Sequence, residues 1–403
     1  MTAITINPQR LLADLQALRG IGAVGKGVVR QAYTAHDIEA RRWLSARMRA
    51  AGLEPCWDEV GNVFALPPHT ERAILIGSHS DTQPEGGWLD GAYGVICGLE
   101  IARAAQEAGV GRVACVAFAD EEGAFNPMLG SRCWTGALPL ERALTLSDSQ
   151  GHELGAILAG VPEIRAAGRV PLDRFWAFIE PHVEQGPVLD RAGEDVAVVS
   201  AIAGVRQLDL VFTGEQNHAG ATPMEGRRDA LRGFVRYVTA LDSALESIAS
   251  DAAVWTIGAL NLHPNAVSII PSRVAATLQI RDVTTAGLEA MLQTAIGLAE
   301  QQSDLLGVSI EARPMLALPP VDMALDLASE LAAAAAEQSP GRWRRMSSGA
   351  LHDAAIVSAK LPTAMIFTPS LLGRSHSFDE DTHPDHLVLG CSVVAAAVSR
   401  LLS

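Results

Sequence analysis

The chain has 403 residues, 48% of them hydrophobic, enough for sizeable cores and, past about 250–300 residues, for division into two domains. A formal net charge of −15 argues against a surface that tracks phosphates; the one basic concentration, Arg342, Arg344 and Arg345, reads as a solvated helix flank, so nucleic acid is not an expected partner. Five cysteines (Cys56, Cys97, Cys115, Cys133, Cys391), odd in number and without CxxC spacing, read as reduced thiols, not as a disulfide frame or metal ligands.

In chain order, the N-terminus MTAITINPQRLLADLQAL lacks a basic region followed by an apolar core, so no secretory signal is expected and the cytoplasm is the default location. Over residues 10–52 the apolar spacing is helical, with Asp37 opening a run that ends on a glycine stop. Apolar runs of strand length follow at 73–76, 113–119, 175–179 and 364–367, with a helical stretch at 91–109 between the first two. Buried strands alternating with helices predict an α/β domain on a mainly parallel sheet. Residues 206–313 read differently, as a strand LDLVF, a helix near 229–250, strands at 253–262 and 274–280, a helix near 286–303 and a strand SIEARP. Four strands and two helices predict an inserted α+β sandwich. The alternation of Val274, Ala276, Leu278 and Ile280 gives its sheet one packed face and one free face. The Ala-rich helix at 325–337 is far shorter than the ~20 apolar residues of a membrane span, so no membrane partner is expected. With the run at 364–367 and a helix at 386–402 it resumes the α/β pattern. The expected domains are a catalytic one from 1–205 and 317–403, and a lid or dimerisation domain at 206–316.

The polar residues fall at telling places. His79 follows the first strand run, Glu121 and Glu122 the second and His182 the third, while His376 lies in the loop after the fourth. In open α/β sheets, sites sit outside the carboxyl ends of the strands, so four strands deliver His or Glu to one edge. His, Asp and Glu without Cys suit Zn, Mn, Co or Ni, and two metals about 3.5–4 Å apart need a bridging carboxylate. Asp90, in the loop before the helical stretch at 91–109, is the candidate bridge.

The motifs GSHSDTQPEGGWLDGAYGV, FADEEG, IEPHVEQGPVLD, NHAGATPMEGRRDA and GRSHSFDEDT resemble, in order, those of M20-type metallohydrolases. More narrowly they resemble the hydantoinase/carbamoylase branch, which holds N-carbamoyl-L-amino-acid and allantoate amidohydrolases. The resemblance implies an aminopeptidase-like fold with helices on both sheet faces, and a four-stranded lid and dimerisation domain. It implies two divalent metals, with His79 and His182 holding one, Glu122 and His376 the other, and Asp90 bridging. It implies that Asp81 orients His79 and that Glu121 is the general base beside the metal-activated water. Asp120 and Glu122 should disfavour the charged form of Glu121 and the metals favour it. His218 is implied to reach a partner subunit's site in a homodimer and stabilise the oxyanion. Gln185 and Arg281 are implied substrate contacts, Arg281 suiting a carboxylate through its planar fork.

Some positions depart from the family pattern. Ser268 stands where Asn is usual, Leu351 where SGAGHDA would have Gly, Gln216 for Ala, Ala221 for Thr, and Ala124-Phe125-Asn126 follows the Glu pair. Ser268 lacks the Asn amide's donors and acceptor, and Leu351 adds bulk where backbone approaches a ligand, which puts the contact to a substrate α-carboxylate in question. The expected reaction is hydrolysis of a ureido or related amide C–N bond on a small amino acid. Allantoate or ureidoglycolate chemistry, or a dipeptidase or N-acyl-amino-acid deacylase, would use the same ligands. A non-enzymatic metal-stabilised binding protein would lack the base or a ligand, and none is missing.

Overall fold

The computed structural model describes residues 3–68 and 72–403. It divides into two compact units, Met1–Ser200 with Met323–Ser403, and Ala201–Asp322. At the centre of the first unit the strands Thr363–Thr368, Phe175–Val183, Ala73–His79 and Val113–Phe118 lie side by side and parallel. Every residue of Ala73–His79 is buried, as expected of a strand covered on both faces. Antiparallel strands extend the sheet, Val196–Ile202 beside Thr363–Thr368, and Val63–Leu66 then Glu54–Trp57 beyond Val113–Phe118. Ile74, Ile76, Cys115, Ala117, Ala177 and Ile179 share one core with the helix Ala92–Glu107. Phe64, Phe118, Phe175 and Phe178 instead form an aromatic cluster with Trp134, ring centroids 5.3–6.3 Å apart along its contacts. The sheet therefore carries apolar cover on both faces, and its polar edge is left for chemistry.

Three local readings are corrected. Residues 10–52 are not one helical run: helices Pro8–Gly20 and Ala35–Ala50 are separated by a two-stranded ribbon, Ala23–Val24 with Gly27–Val28. Thr34 caps the second helix, while Asp37 is fully buried, accepting from the Tyr33 amide and pairing with the equally buried Arg41. Of the basic concentration at 342–345, Arg344 and Arg345 lie on the strand Trp343–Ser348 and Arg342 just before it, with Arg342 paired to Asp195 and Arg344 to Glu194. Acidic partners thus meet two of the three arginines. No cysteine is bonded to another, and among the described residues no helix is long and apolar enough to cross a membrane.

In the second unit the sheet runs in the order Val254–His263, Arg273–Asp282, Gly204–Thr213, Ser309–Leu318, all pairings antiparallel. Val274, Ala276, Leu278 and Ile280 are buried, as their alternation requires, against Tyr237 and Leu241 of the helix Ala230–Glu246 and Leu288, Met291 and Ala295 of Thr285–Leu306. Tyr237 ties the two helices by donating its hydroxyl to the Ala295 carbonyl at 2.9 Å.

Candidate metal centre

The carboxyl ends of the four parallel strands converge on one cluster. His79 is the last residue of its strand and His182 the penultimate residue of Phe175–Val183, so His182 lies inside the strand, not after it. Glu121 and Glu122 follow Val113–Phe118 in a tight turn. Asp120, at φ +54°, accepts the amides of Ala124, Phe125 and Asn126 there and so folds the chain back beneath the pair. Asp90 precedes the helix Ala92–Glu107 through Gly91, whose φ is +62° and where a Cβ would stand 2.4 Å from the His79 ring. Only glycine lets that helix start so close to the imidazole.

Two groups of three side chains result, each with its donor atoms within 4.8 Å of one another: His79, Asp90, His182, and Asp90, Glu122, His376. Asp90 belongs to both, and its two oxygens divide between them. Oδ1 lies 3.3 Å from His182 Nε2 and 3.9 Å from His79 Nε2, while Oδ2 lies 3.2 Å from His376 Nε2. Glu122 Oε2 is 3.8 Å from His376 Nε2, and Glu121 Oε2 is 3.6 Å from His79 Nε2. His182 Nδ1 lies 2.9 Å from the Val183 carbonyl, which places the proton on Nδ1 and leaves Nε2 as a buried lone pair without a hydrogen-bond partner. His79 Nδ1 is held in the same way, with one difference from expectation. Its 3.0 Å contact is to the backbone carbonyl of Asp81, the carboxylate being 3.8 Å away. That carboxylate instead accepts the amides of Glu121 and Glu122, at 3.4 and 3.2 Å.

Three neighbours complete the cluster. Gln185, at φ +59°, donates from Nε2 to Asp90 Oδ2 at 3.1 Å. Gln83, which sequence reasoning missed, donates to both Glu122 oxygens, from its side chain at 2.6 Å and its backbone at 3.2 Å. Its amide lies four residues past His79 in the same motif, the one signal that could have raised it. His352, next to Leu351, sets its ring 4.5 Å from that of His182 and shares a further donor group with Glu180.

The electrostatics are those of a crowded acidic pocket. Burial raises Glu121 well above the usual carboxyl range; His79 opposes this, while Asp353, Glu122 and Asp90 reinforce it. Burial with Asp90 nearby lifts Glu122 to about 7. Burial alone would raise Asp90 too, but the His376 hydrogen bond and the His182 and His79 rings hold it below the usual range. The bond to Asp90 lifts His376 to about 9, and burial lowers His182.

Three expected site residues belong to the second unit. His218 is exposed, and its Nδ1 accepts the amides of Gly220 and Ala221 at 3.1 Å each, so the neutral ring carries its proton on Nε2. Ser268 is exposed beside it, its carbonyl accepting the Ala219 amide at 2.9 Å. Arg281, near the end of Arg273–Asp282, is half-buried with Nε on Gln279.

The profile of peptidase family M20/M25/M40 matches residues 75–400. The chain is 33% identical to an N-carbamoyl-L-amino-acid amidohydrolase of Paenarthrobacter aurescens, covering 100% of both chains. It is 32% identical to the allantoate amidohydrolase of Escherichia coli K12 over 93% of each. Among solved structures, a hydantoinase/carbamoylase family amidase from Burkholderia phymatum matches at a TM-score of 0.93 and 41% identity, over 99% of this chain and 98% of that one.

Proposed function

We propose, from the premise that this chain belongs to peptidase family M20/M25/M40, that it is a two-metal amidohydrolase cleaving the C–N bond of an N-carbamoyl or related ureido amino acid. The observation that carries the reading is the division of the two Asp90 oxygens between a His79/His182 side and a Glu122/His376 side. The donor set fits a pair of divalent cations such as Zn, Mn, Co or Ni. Two buried imidazole nitrogens and three carboxylates face one another, with the Gln83 amide on Glu122 and the Gln185 amide on Asp90, and His182 Nε2 is an orphaned lone pair that a cation would satisfy. Bound cations would supply Lewis acidity to the scissile carbonyl and acidify the attacking water.

The remaining work falls to the protein. Glu121 takes the proton of the attacking water and delivers it to the leaving nitrogen; its burial raises the carboxyl well above the usual range, which favours the proton it holds between the two transfers. The Asp81 carbonyl fixes the His79 ring, and its carboxylate fixes the turn that carries Glu121 and Glu122. Gln185 orients substrate from beside Asp90. The active form is a homodimer in which the partner subunit's His218 donates its Nε2–H to the developing oxyanion. Support for that role is the bifurcated acceptance at Nδ1, which leaves Nε2 as an exposed donor. Arg281 receives the substrate carboxylate, and Ser268, which stands beside His218, contacts the substrate from there. Five free thiols support a cytoplasmic location.

The test is turnover of metal-replete protein on N-carbamoyl-L-amino acids, allantoate, ureidoglycolate and dipeptides, read as released ammonia and free amine. Carbamoyl turnover above all others is expected. Silence across the panel, or dipeptide turnover exceeding it, overturns the reading. Mixing His218→Ala with Glu121→Ala protein restores activity if His218 serves the partner's site; a mixture as inactive as its components overturns that assignment.

A further inference from the structure

Glu380 lies four residues beyond His376 and belongs to neither group of candidate ligands. It is 2% exposed, and among the described residues no arginine or lysine forms an ion pair with it. Its carboxylate is spent on two loops. Oε1 accepts the backbone amides of Leu89 at 3.0 Å and Asp90 at 2.9 Å, and Oε2 accepts the Ser375 hydroxyl at 2.7 Å. One side chain thus joins the backbone of Asp90 to the residue preceding His376. The His376 loop has little regular backbone of its own: Leu372, Gly373 and His376 have φ of +58°, +66° and +48°, a conformation that non-glycine residues hold only when their surroundings impose it. The opposite loop is shaped to receive the carboxylate, since a Cβ at Gly87 would stand 2.0 Å from Glu380 Oε1.

We infer that Glu380 is a positioning residue of the metal centre, a clasp that sets the separation of Asp90 and His376 and so brings the second group of ligands into register. The inference rests on the proposed metal centre and adds to it a determinant of metal affinity that is not a ligand. Gln at 380 would keep Oε1 as acceptor for both amides and turn its amide toward Ser375, whose hydroxyl can accept instead of donate. Ala would release both loops. Ala at Gly87 would displace the clasp from the other side without touching Glu380.

The experiment titrates metal-free wild type, Glu380→Gln, Glu380→Ala and Gly87→Ala with Co2+ alone, read by its visible absorption, alongside the Tm of each apo-protein. Wild type takes two equivalents. Glu380→Gln binds both within about threefold of wild type, while Glu380→Ala and Gly87→Ala lose about 10–100-fold in affinity for one equivalent, the range seen when groups orienting metal ligands are removed. Rescue by Gln with unchanged apo Tm separates positioning from a merely structural role, and Gly87→Ala decides the matter if Glu380→Ala does not fold. Tight uptake of both equivalents by Glu380→Ala and Gly87→Ala, or failure of Gln to rescue, overturns the clasp alone. Fewer than two equivalents in wild type overturns the metal centre and the clasp with it.

Discussion

Replacing Glu121 by Gln separates chemistry from scaffolding at this site. The side chain is almost fully buried, with His79 Nε2 at 3.6 Å and the carboxylates of Asp353, Glu122 and Asp90 near enough to raise its pKa. An amide of the same shape keeps the packing and removes a carboxyl whose charged form burial and its acidic neighbours disfavour, so the metal-free protein loses no stability and its Tm stays level or rises. Catalysis behaves oppositely. A positioned general base contributes about 10²–10⁴-fold, or roughly 3–5 kcal/mol at about 1.4 kcal/mol per decade, and Gln has no lone pair basic enough to replace it. The expected outcome is a kcat lower by two to four decades, KM within a few-fold and unchanged metal content. Steady-state kinetics on the best substrate of the panel, with metal analysis and thermal melts on the same preparations, measures all three. A kcat within tenfold of wild type would refute the assignment of the base, and lost metal would make Glu121 a ligand.

Chelation should abolish turnover, with recovery on adding Zn2+, Mn2+ or Co2+. Because cations bind only the folded site, thermal melts should show stabilisation of about 2.7 kcal/mol per site at a hundredfold excess over Kd. Metal binding should weaken as pH falls. With His376 raised to about 9 and Glu122 to about 7, the metal-free site holds protons at neutral pH that the cation on the Glu122/His376 side must displace, so its apparent affinity measured by titration at pH 6, 7 and 8 should climb steadily. A flat profile would place the ligands elsewhere. Arg41→Met should destabilise by about 3–5 kcal/mol in urea unfolding, because it leaves the fully buried Asp37 carboxylate without its partner and strips the Gly61 carbonyl of a donor. A loss under 1 kcal/mol would mean that water reaches Asp37.

What could be read from the sequence was what depends on chain direction and period. The central strands were visible as short apolar runs, and placing His79, Glu121, Glu122 and His182 at their ends needed only the rule that parallel strands present their carboxyl ends together. The sandwich of the second unit was legible because Val274 to Ile280 alternate so cleanly. The strands Glu54–Trp57, Val63–Leu66 and Val196–Ile202 were not anticipated, being short flanking strands whose pairing depends on neighbours distant in the chain. The ribbon at Ala23–Val28 hid among glycines within a helical spacing, and Asp37 read only as the opening of a helical run because a buried Arg four residues on cannot be told from an exposed one. Gln83 and Glu380 escaped for a related reason. They act through hydrogen bonds to a carboxylate and to backbone amides, and that work leaves no periodicity.

The placement of Thr363–Thr368 beside Phe175–Val183 also bears on how this protein is made. His182 lies on one of these strands and His376 in the loop after the other, yet the whole of Ala201–Asp322 is synthesised between them. A nascent chain therefore displays the apolar edge of Phe175–Val183 and the acidic group of Asp90, Glu121 and Glu122 until the last strand emerges from the ribosome. The intervening unit has its own sheet and core and is free to fold meanwhile. Pairing strands so far apart in the chain is slow.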